Sequence, residues 1–311
     1  MKKRSIIAII LALFLIVPLI SAGFFSDSWN KITGKASTTQ NMIMNITVSN
    51  SAPTIYNVSG LSAITLTDGP SPTFAIINFS VNDSDGASNL DNSTAKINIT
   101  RAGEAFRYNS TCAVKNFGPG NYSNYTCNIT FWWFDGAGPW VVTASIYDLN
   151  GNLATNSTHN VTLNSLTGFV MAPSSLNFTS LVAGSTNQTP MNHLTLNNTG
   201  NVGITSGNVQ INATDLVGET TPNRFLYAGN FSGSIYTGGN IECNITASAT
   251  QMVNKTFTGV VSSTLAAGNY TVNNGVTGQE NLYFCLRQVG VELTQQQYST
   301  AKWGPWVVQI V

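Results

Sequence analysis

The stretch Asn121-Tyr122-Ser123-Asn124-Tyr125-Thr126-Cys127-Asn128-Ile129-Thr130 carries three Asn-x-Ser/Thr triplets in ten residues. Side chains alternate between the faces of a β-strand. A triplet of this kind therefore aims its Asn and its Thr at solvent and its middle residue at a core. The chain repeats the device throughout. Its 311 residues hold 37 Asn and 67 Ser plus Thr, for which random placement gives 37 × 67/311, about 8 triplets.

Twenty are present. The first ten stand at Asn45, Asn57, Asn78, Asn82, Asn92, Asn98, Asn109, Asn121, Asn124 and Asn128. The rest stand at Asn156, Asn160, Asn177, Asn187, Asn197, Asn212, Asn230, Asn244, Asn254 and Asn269. Thirteen of the middle residues are apolar or aromatic: Ile46, Val58, Phe79, Ile99, Tyr122, Tyr125, Ile129, Val161, Phe178, Ala213, Phe231, Ile245 and Tyr270. The pattern reads as N-glycan acceptors on the outer faces of β-sheets. The plainer reading is that Asn-Ile-Thr is good strand sequence in its own right.

The N-terminus points to export. Lys2, Lys3 and Arg4 precede an apolar run, Ile6 to Ile20, and the small residues Ser21, Ala22 and Gly23 follow. Residues 1–23 are read as a signal peptide, with a retained anchor as the alternative. In the latter case this segment is the chain's one membrane contact. Charged residues make up 8 % of the chain, far below the usual quarter. Without the signal's three basic residues, ten Lys/Arg face thirteen Asp/Glu, which leaves no basic footprint for nucleic acid. No apolar C-terminal anchor is expected, since the sequence runs to Val311 through a strand-like stretch.

Cys112, Cys127, Cys243 and Cys285 divide into one pair per half, and no Cys-x-x-Cys spacing suggests zinc or redox work. Oxidised pairing fits an exported chain. Four cysteines allow three connectivities, and pairing within each half is the one expected here.

Strand signals recur through the chain with Gly, Pro, Asn and Asp between them, and no helical period follows the signal. The fold class expected is all-β: two tandem immunoglobulin-like β-sandwiches over residues 41–165 and 166–311, after a loose lead over 24–40. Strands are expected near 41–49, 54–59, 73–82, 94–101, 124–134, 139–147 and 154–163. In the second half they are expected near 174–181, 191–198, 207–214, 224–228, 240–248, 255–262, 281–287 and 303–311, after a linker over 164–168.

Gly138-Pro139-Trp140-Val141-Val142 recurs as Gly304-Pro305-Trp306-Val307-Val308, each copy downstream of its half's second cysteine. Two related sandwiches explain the match, with coincidence as the alternative. After the first copy the chain turns at Asn150-Gly151 into a final strand ending Asn160-Val161-Thr162-Leu163; after the second no such strand is read. Meanwhile Met42-Ile43-Met44-Asn45-Ile46-Thr47-Val48 resembles that closing strand. Strand donation between like subunits is one reading, with Met42, Ile43, Met44, Ile46 and Val48 as its contacts. Pairing of the segment within its own sandwich is the other.

Two further features are candidate sites. The turn Asn82-Asp83-Ser84-Asp85-Gly86, with Asp91 close behind, offers oxygen donors of the kind Ca²⁺ takes, although Asp-Gly turns are also ordinary hairpin chemistry. The run Phe131-Trp132-Trp133-Phe134 puts two aromatics on each face of a strand. One face fills the core; for the other, cover by Trp140 and a loop or a contact between domains is favoured over stacking of Trp132 and Trp133 on sugar rings. Catalysis finds no footing. His159 and His193 are the two histidines, neither has a nucleophile and an orienting acid nearby, and no nucleotide loop or zinc motif is present. No cofactor is expected, and the chain is read as no enzyme.

Several segments resemble secreted archaeal cell-surface glycoproteins with immunoglobulin-like domains, including surface-layer proteins and filament or adhesion subunits. They are Trp29-Asn30-Lys31-Ile32-Thr33-Gly34, Asn45-Ile46-Thr47-Val48, Ala52-Pro53-Thr54-Ile55 and Leu194-Thr195-Leu196-Asn197-Asn198-Thr199-Gly200-Asn201. The resemblance implies a structural or interaction role in the cell envelope, with like subunits or other envelope proteins as partners. A carbohydrate-binding or adhesion module is the alternative.

Overall fold

The computed structural model describes residues 42–117, 120–271 and 278–311. The expected signal (1–23) and lead (24–40) lie outside the described residues. By contacts the chain falls into two units, Met1–Ser49 and Asn50–Val311. Of the first unit, residues 42–49 are described: they are exposed, and no strand is assigned to them. The strand expected near 41–49 is thus absent. Its alternating sequence supplies one side of a ladder, and no strand among the described residues supplies the other.

Within Asn50–Val311 the fold is all-β. The first half comprises β1 (Thr54–Gly60), β2 (Ala63–Ile64), β3 (Thr73–Asn82), β4 (Leu90–Thr100), β5 (Arg107–Asn109), β6 (Ala113–Phe117), β7 (Tyr122–Phe131), β8 (Gly138–Asp148) and β9 (Leu153–Leu163). They form a four-stranded sheet, β1-β3-β7-β6, and a five-stranded one, β2-β9-β8-β4-β5. Alternate side chains of both sheets meet in one apolar cluster: Ile77 and Phe79 of β3, Ile97 and Ile99 of β4, Tyr125 and Ile129 of β7, Trp140 and Val142 of β8, Val161 and Leu163 of β9. Phe79 and Tyr125, opposite each other in register, stack with ring centroids 4.8 Å apart. Each such fully buried large side chain contributes roughly 1.5–3 kcal/mol.

The second half comprises β10 (Phe169–Ala172), β11 (Thr186–Gln188), β12 (Leu194–Asn198), β13 (Val209–Asn212), β14 (Leu216–Gly218), β15 (Phe225–Leu226), β16 (Phe231–Ser234), β17 (Thr250–Gln251), β18 (Thr258–Gly259), β19 (Gln279–Gln288), β20 (Tyr298–Ser299) and β21 (Val307–Ile310). One sheet runs β10-β12-β19-β16-β17, with β11 also on β19; a second runs β18-β13-β21; a third, β15-β14-β20. The order β10-β12-β19-β16 repeats β1-β3-β7-β6, and β21-β13-β18 repeats β8-β4-β5. A separate apolar cluster lies here, built on Leu196, Ile211, Phe231, Leu282, Phe284 and Leu286. It is less well sealed. Eleven apolar side chains lie only partly buried against it, compared with Leu166 alone for the first cluster.

The five-residue repeat keeps two features in both copies, although β8 begins at Gly138 and β21 only at Val307. Gly138 and Gly304 both take positive φ, 118° and 91°, which a side chain resists. Trp140 and Trp306 each set a ring 6.0 Å from a phenylalanine, Phe131 and Phe284 respectively.

Several expected strands moved. Residues 240–248 form turns around a short 3-10 segment, Ile241–Cys243, because Asn240 is left-handed (φ 65°) and the Asn244 carbonyl collects the amides of Ser248 and Ala249. Residues 174–181 hold no strand; the strand before them is β10. The strand expected over 124–134 stops at Phe131, since the Asp135 carboxylate accepts the Trp132 amide at 2.8 Å and turns the chain.

Candidate functional site

None of the twenty triplet asparagines is buried, whereas eight of the thirteen apolar middle residues are: Val58, Phe79, Ile99, Tyr125, Ile129, Val161, Ala213 and Phe231. Period-two geometry produces this split directly. The outer face of β1-β3-β7 is lined by Asn57, Asn78, Asn82, Asn124 and Asn128, while Asn98 and Asn160 face solvent from the opposite sheet. Two of the other middle residues break the rule by being exposed, Tyr122 and Ile46.

The cysteines pair as Cys112–Cys127 and Cys243–Cys285, one bond per half, and none is left free among the described residues. Each bond ties a strand of one sheet to a neighbouring turn.

Asp83, Asp85 and Asp91 do not converge into a calcium site. Among the described residues no three acidic, His or Cys groups stand close enough to hold a metal ion. Protein donors meet both oxygens of Asp83 and one oxygen each of Asp85 and Asp91. Asp83 accepts from the Asp85 amide at 2.9 Å and from Asn89 at 3.3 Å; Asp85 accepts from the Ser51 amide at 2.7 Å; Asp91 accepts from the Ser93 hydroxyl at 2.6 Å. The turn is a junction between strands. Asn89 donates to Asn50, and Asn50 donates in turn to Asp148, both at 2.7 Å.

Asp148 completes that junction. Its burial alone would raise its pKa, but hydrogen bonds outweigh it: the side chain and amide of Asn152, the side chain of Asn50 and the amide of Asn150 hold the carboxyl down to about 2.

The aromatic run does not present an exposed tryptophan pair. Trp133 is 3 % exposed, sits over Gly69 and lies 5.7 Å from the Tyr270 ring of the second half. Trp132 is half-buried and stacks parallel to Phe134 at 6.3 Å. Asp135 is fully buried and pairs with Arg107, fixing the turn that carries both rings. The run therefore joins the two halves. Strand periodicity misplaced only the strand's end, since it put Trp132 and Trp133 on a strand that has already ended at Phe131.

Neither histidine enters a catalytic arrangement among the described residues. His159 has a buried Nε2 without a partner, and His193 packs on Tyr283 at 5.1 Å. His193 lines an open cavity of about 200 Å³ with Glu242, Thr237 and Met191. There the Glu242 carboxylate accepts the Gly238 amide, and no Ser or Cys nucleophile is joined to the imidazole.

One edge stands open. In the first half β8 lies between β4 and β9; in the second, β21 pairs with β13 and with no other strand among the described residues. Trp140 and Val142 are fully buried, but their repeats Trp306 and Val308 are only partly so, as is Ile310. The outward Val141 and Val307 are alike, at 42 % and 46 % exposed. Among the described residues no strand covers the inner face of β21 as β9 covers that of β8.

No family model and no curated protein matches the chain. Among solved structures it is similar to a PKD domain of an M14-like peptidase from a Thermoplasmatales archaeon, at 19% identity, over 37% of this chain and 99% of that one, with a TM-score of 0.22. It is also similar to the secreted serine protease VesC from Vibrio cholerae, at 9% identity, over 81% of this chain and 49% of that one, with a TM-score of 0.20. The chain thus spans about half of the second. At these TM-scores neither likeness carries an argument; the all-β layering rests on the ladders described above.

Proposed function

We propose that the chain is an extracellular, N-glycosylated structural subunit of a cell envelope, in a surface layer or filament, and that it performs no catalysis. The carrying observation is the division of the twenty triplets: every acceptor Asn reaches solvent, and most of the apolar middle residues are in a core. Two disulfides support an oxidising compartment. A surface poor in charge depends on hydroxyls, amides and attached sugar for solubility. The adhesion reading loses its main support with Trp133 buried.

Intact-mass measurement and glycopeptide mapping of material from the native envelope test the proposal. Multiple occupied acceptors are expected. An unmodified chain overturns the reading.

A further inference from the structure

The open edge of β21 and the unpaired segment Met42–Val48 have complementary chemistry. In the first half, β9 closes the sandwich by running antiparallel to β8 and parallel to β2, with Trp140 opposite Val161 and Gly138 opposite Leu163. Val161 and Leu163 are buried in the core, while Asn160 and Thr162 point to solvent. The second half has the counterparts of β8, β4 and β5 but no counterpart of β9 among its described residues. Met42–Val48 has the missing strand's pattern. Met42, Met44, Ile46 and Val48 alternate with Ile43, Asn45 and Thr47, and its large apolar side chains are 68–85 % exposed. Asn45-Ile46-Thr47-Val48 matches Asn160-Val161-Thr162-Leu163 residue for residue in type.

We infer that Met42–Val48 of one copy fills the β9 position of the second sandwich in another copy, antiparallel to β21. The register follows from the first half. Ile46 lies opposite Trp306, Val48 opposite Gly304, Met44 opposite Val308 and Asn45 opposite Val307. Met44, Ile46 and Val48 then cover the half-open cluster. Asn45 faces solvent as Asn160 does, so a glycan there is compatible with insertion.

The occupant is a second copy because the chain's own segment cannot reach. Asn50 is tied to Asp148 and Asn89, at the Asp148 end of β8. The contacts to the second half, Gly69 with Thr199, Leu166 with Asn201 and Trp133 with Tyr270, gather at the Gly138 end. An 11-residue strand separates those ends, about 35 Å at roughly 3.3 Å per residue. The two residues from Val48 to Asn50 span about 7 Å. A contact between copies through this donor and this edge joins two different surfaces of the chain. Such a contact is heterologous and propagates into a filament.

This inference rests on the assembly reading above, and the test separates the two. In the full chain, Asn45→Cys and Val307→Cys are made singly and together; the first also removes the acceptor that would crowd the bond. Dimers, trimers and longer ladders on a non-reducing gel are expected from the double variant alone. Absence of ladders from a double variant that still assembles overturns donation and leaves the structural role intact; a bond formed only within single chains overturns it too. As a second readout, a chain lacking residues 42–48 is mixed with the synthetic peptide 42–49. Binding is expected, and Ile46→Asp in the peptide weakens it about 100-fold or more. A deletion variant that ignores the peptide and polymerises like the wild type overturns the inference. A wild-type chain that stays monomeric with its edge open overturns the assembly reading itself.

Discussion

Leu166 and Asn201 hold each other from both sides. The Leu166 amide donates to Asn201 Oδ1 at 2.7 Å, and the Asn201 amide donates to the Leu166 carbonyl at 3.0 Å. Asn201 Nδ2 adds a bond to the Asn164 carbonyl at 2.9 Å. The segment read as a linker is therefore clasped by the turn Asn198-Thr199-Gly200-Asn201. A Cβ on Gly200 would lie 2.1 Å from the Leu166 carbonyl oxygen, so only glycine lets the two backbones meet. Asn201→Ala removes the partner of the half-buried Leu166 amide and of the Asn164 carbonyl, at a cost of about 1 kcal/mol. Limited proteolysis should then cut residues 164–168 faster, with the wild-type chain resistant there.

Acid should weaken the first sandwich through Asp148. Its folded pKa of about 2 lies below the ordinary carboxylate value, so its ionised form favours folding. That contribution is complete above about pH 4 and lost as pH falls toward 2. Denaturation midpoints measured across this window should drop in the wild type. In Asp148→Asn they should start lower and fall less.

The disulfides should differ in weight. Cys112–Cys127 closes a separation of 15 residues and Cys243–Cys285 one of 42. Chain entropy assigns them about 3 and about 4 kcal/mol. Unfolding with and without reductant, and with each pair replaced by serine, checks the order.

Much of the first sandwich was legible because its strands alternate strictly. The strands expected over 54–59, 73–82, 139–147 and 154–163 lie within one residue of β1, β3, β8 and β9. The second half was less legible for identifiable reasons. β16 reads Phe-Ser-Gly-Ser, with no apolar alternation, yet all four residues are buried. Ser232 and Ser234 satisfy their hydroxyls on the carbonyls of Glu242 and Ser248, both at 2.7 Å. Small polar residues can thus make a central strand when local carbonyls face them, which periodicity does not record. At the calcium candidate the sequence supplies carboxylates, but only the fold shows the amides and hydroxyl that meet them.

The two repeated tryptophans should respond differently to truncation. Trp140→Ala empties a sealed core and should cost about 3–5 kcal/mol. Trp306 is partly exposed in the isolated chain, so Trp306→Ala should cost clearly less there. In assembled material the two costs should converge. Chemical denaturation of both variants, before and after assembly, reads this.

Acceptor occupancy should follow geometry. Asn98 and Asn160 stand free on an outer face, whereas Asn109 and Asn156 spend their Nδ2 on the carbonyls of Asn128 and Ile55, both at 2.9 Å. Glycopeptide mapping is expected to find the first two well occupied and the latter two sparsely so.

The knot that ties Asn50 to Asp148 also fixes how a pull would travel. Tension would enter the first sandwich at Asn50 and leave past Leu163 at the far end, so β1 and β9 are drawn along their own length. Their ladder bonds then share the load in shear and do not peel one at a time, which suits a part of a cable.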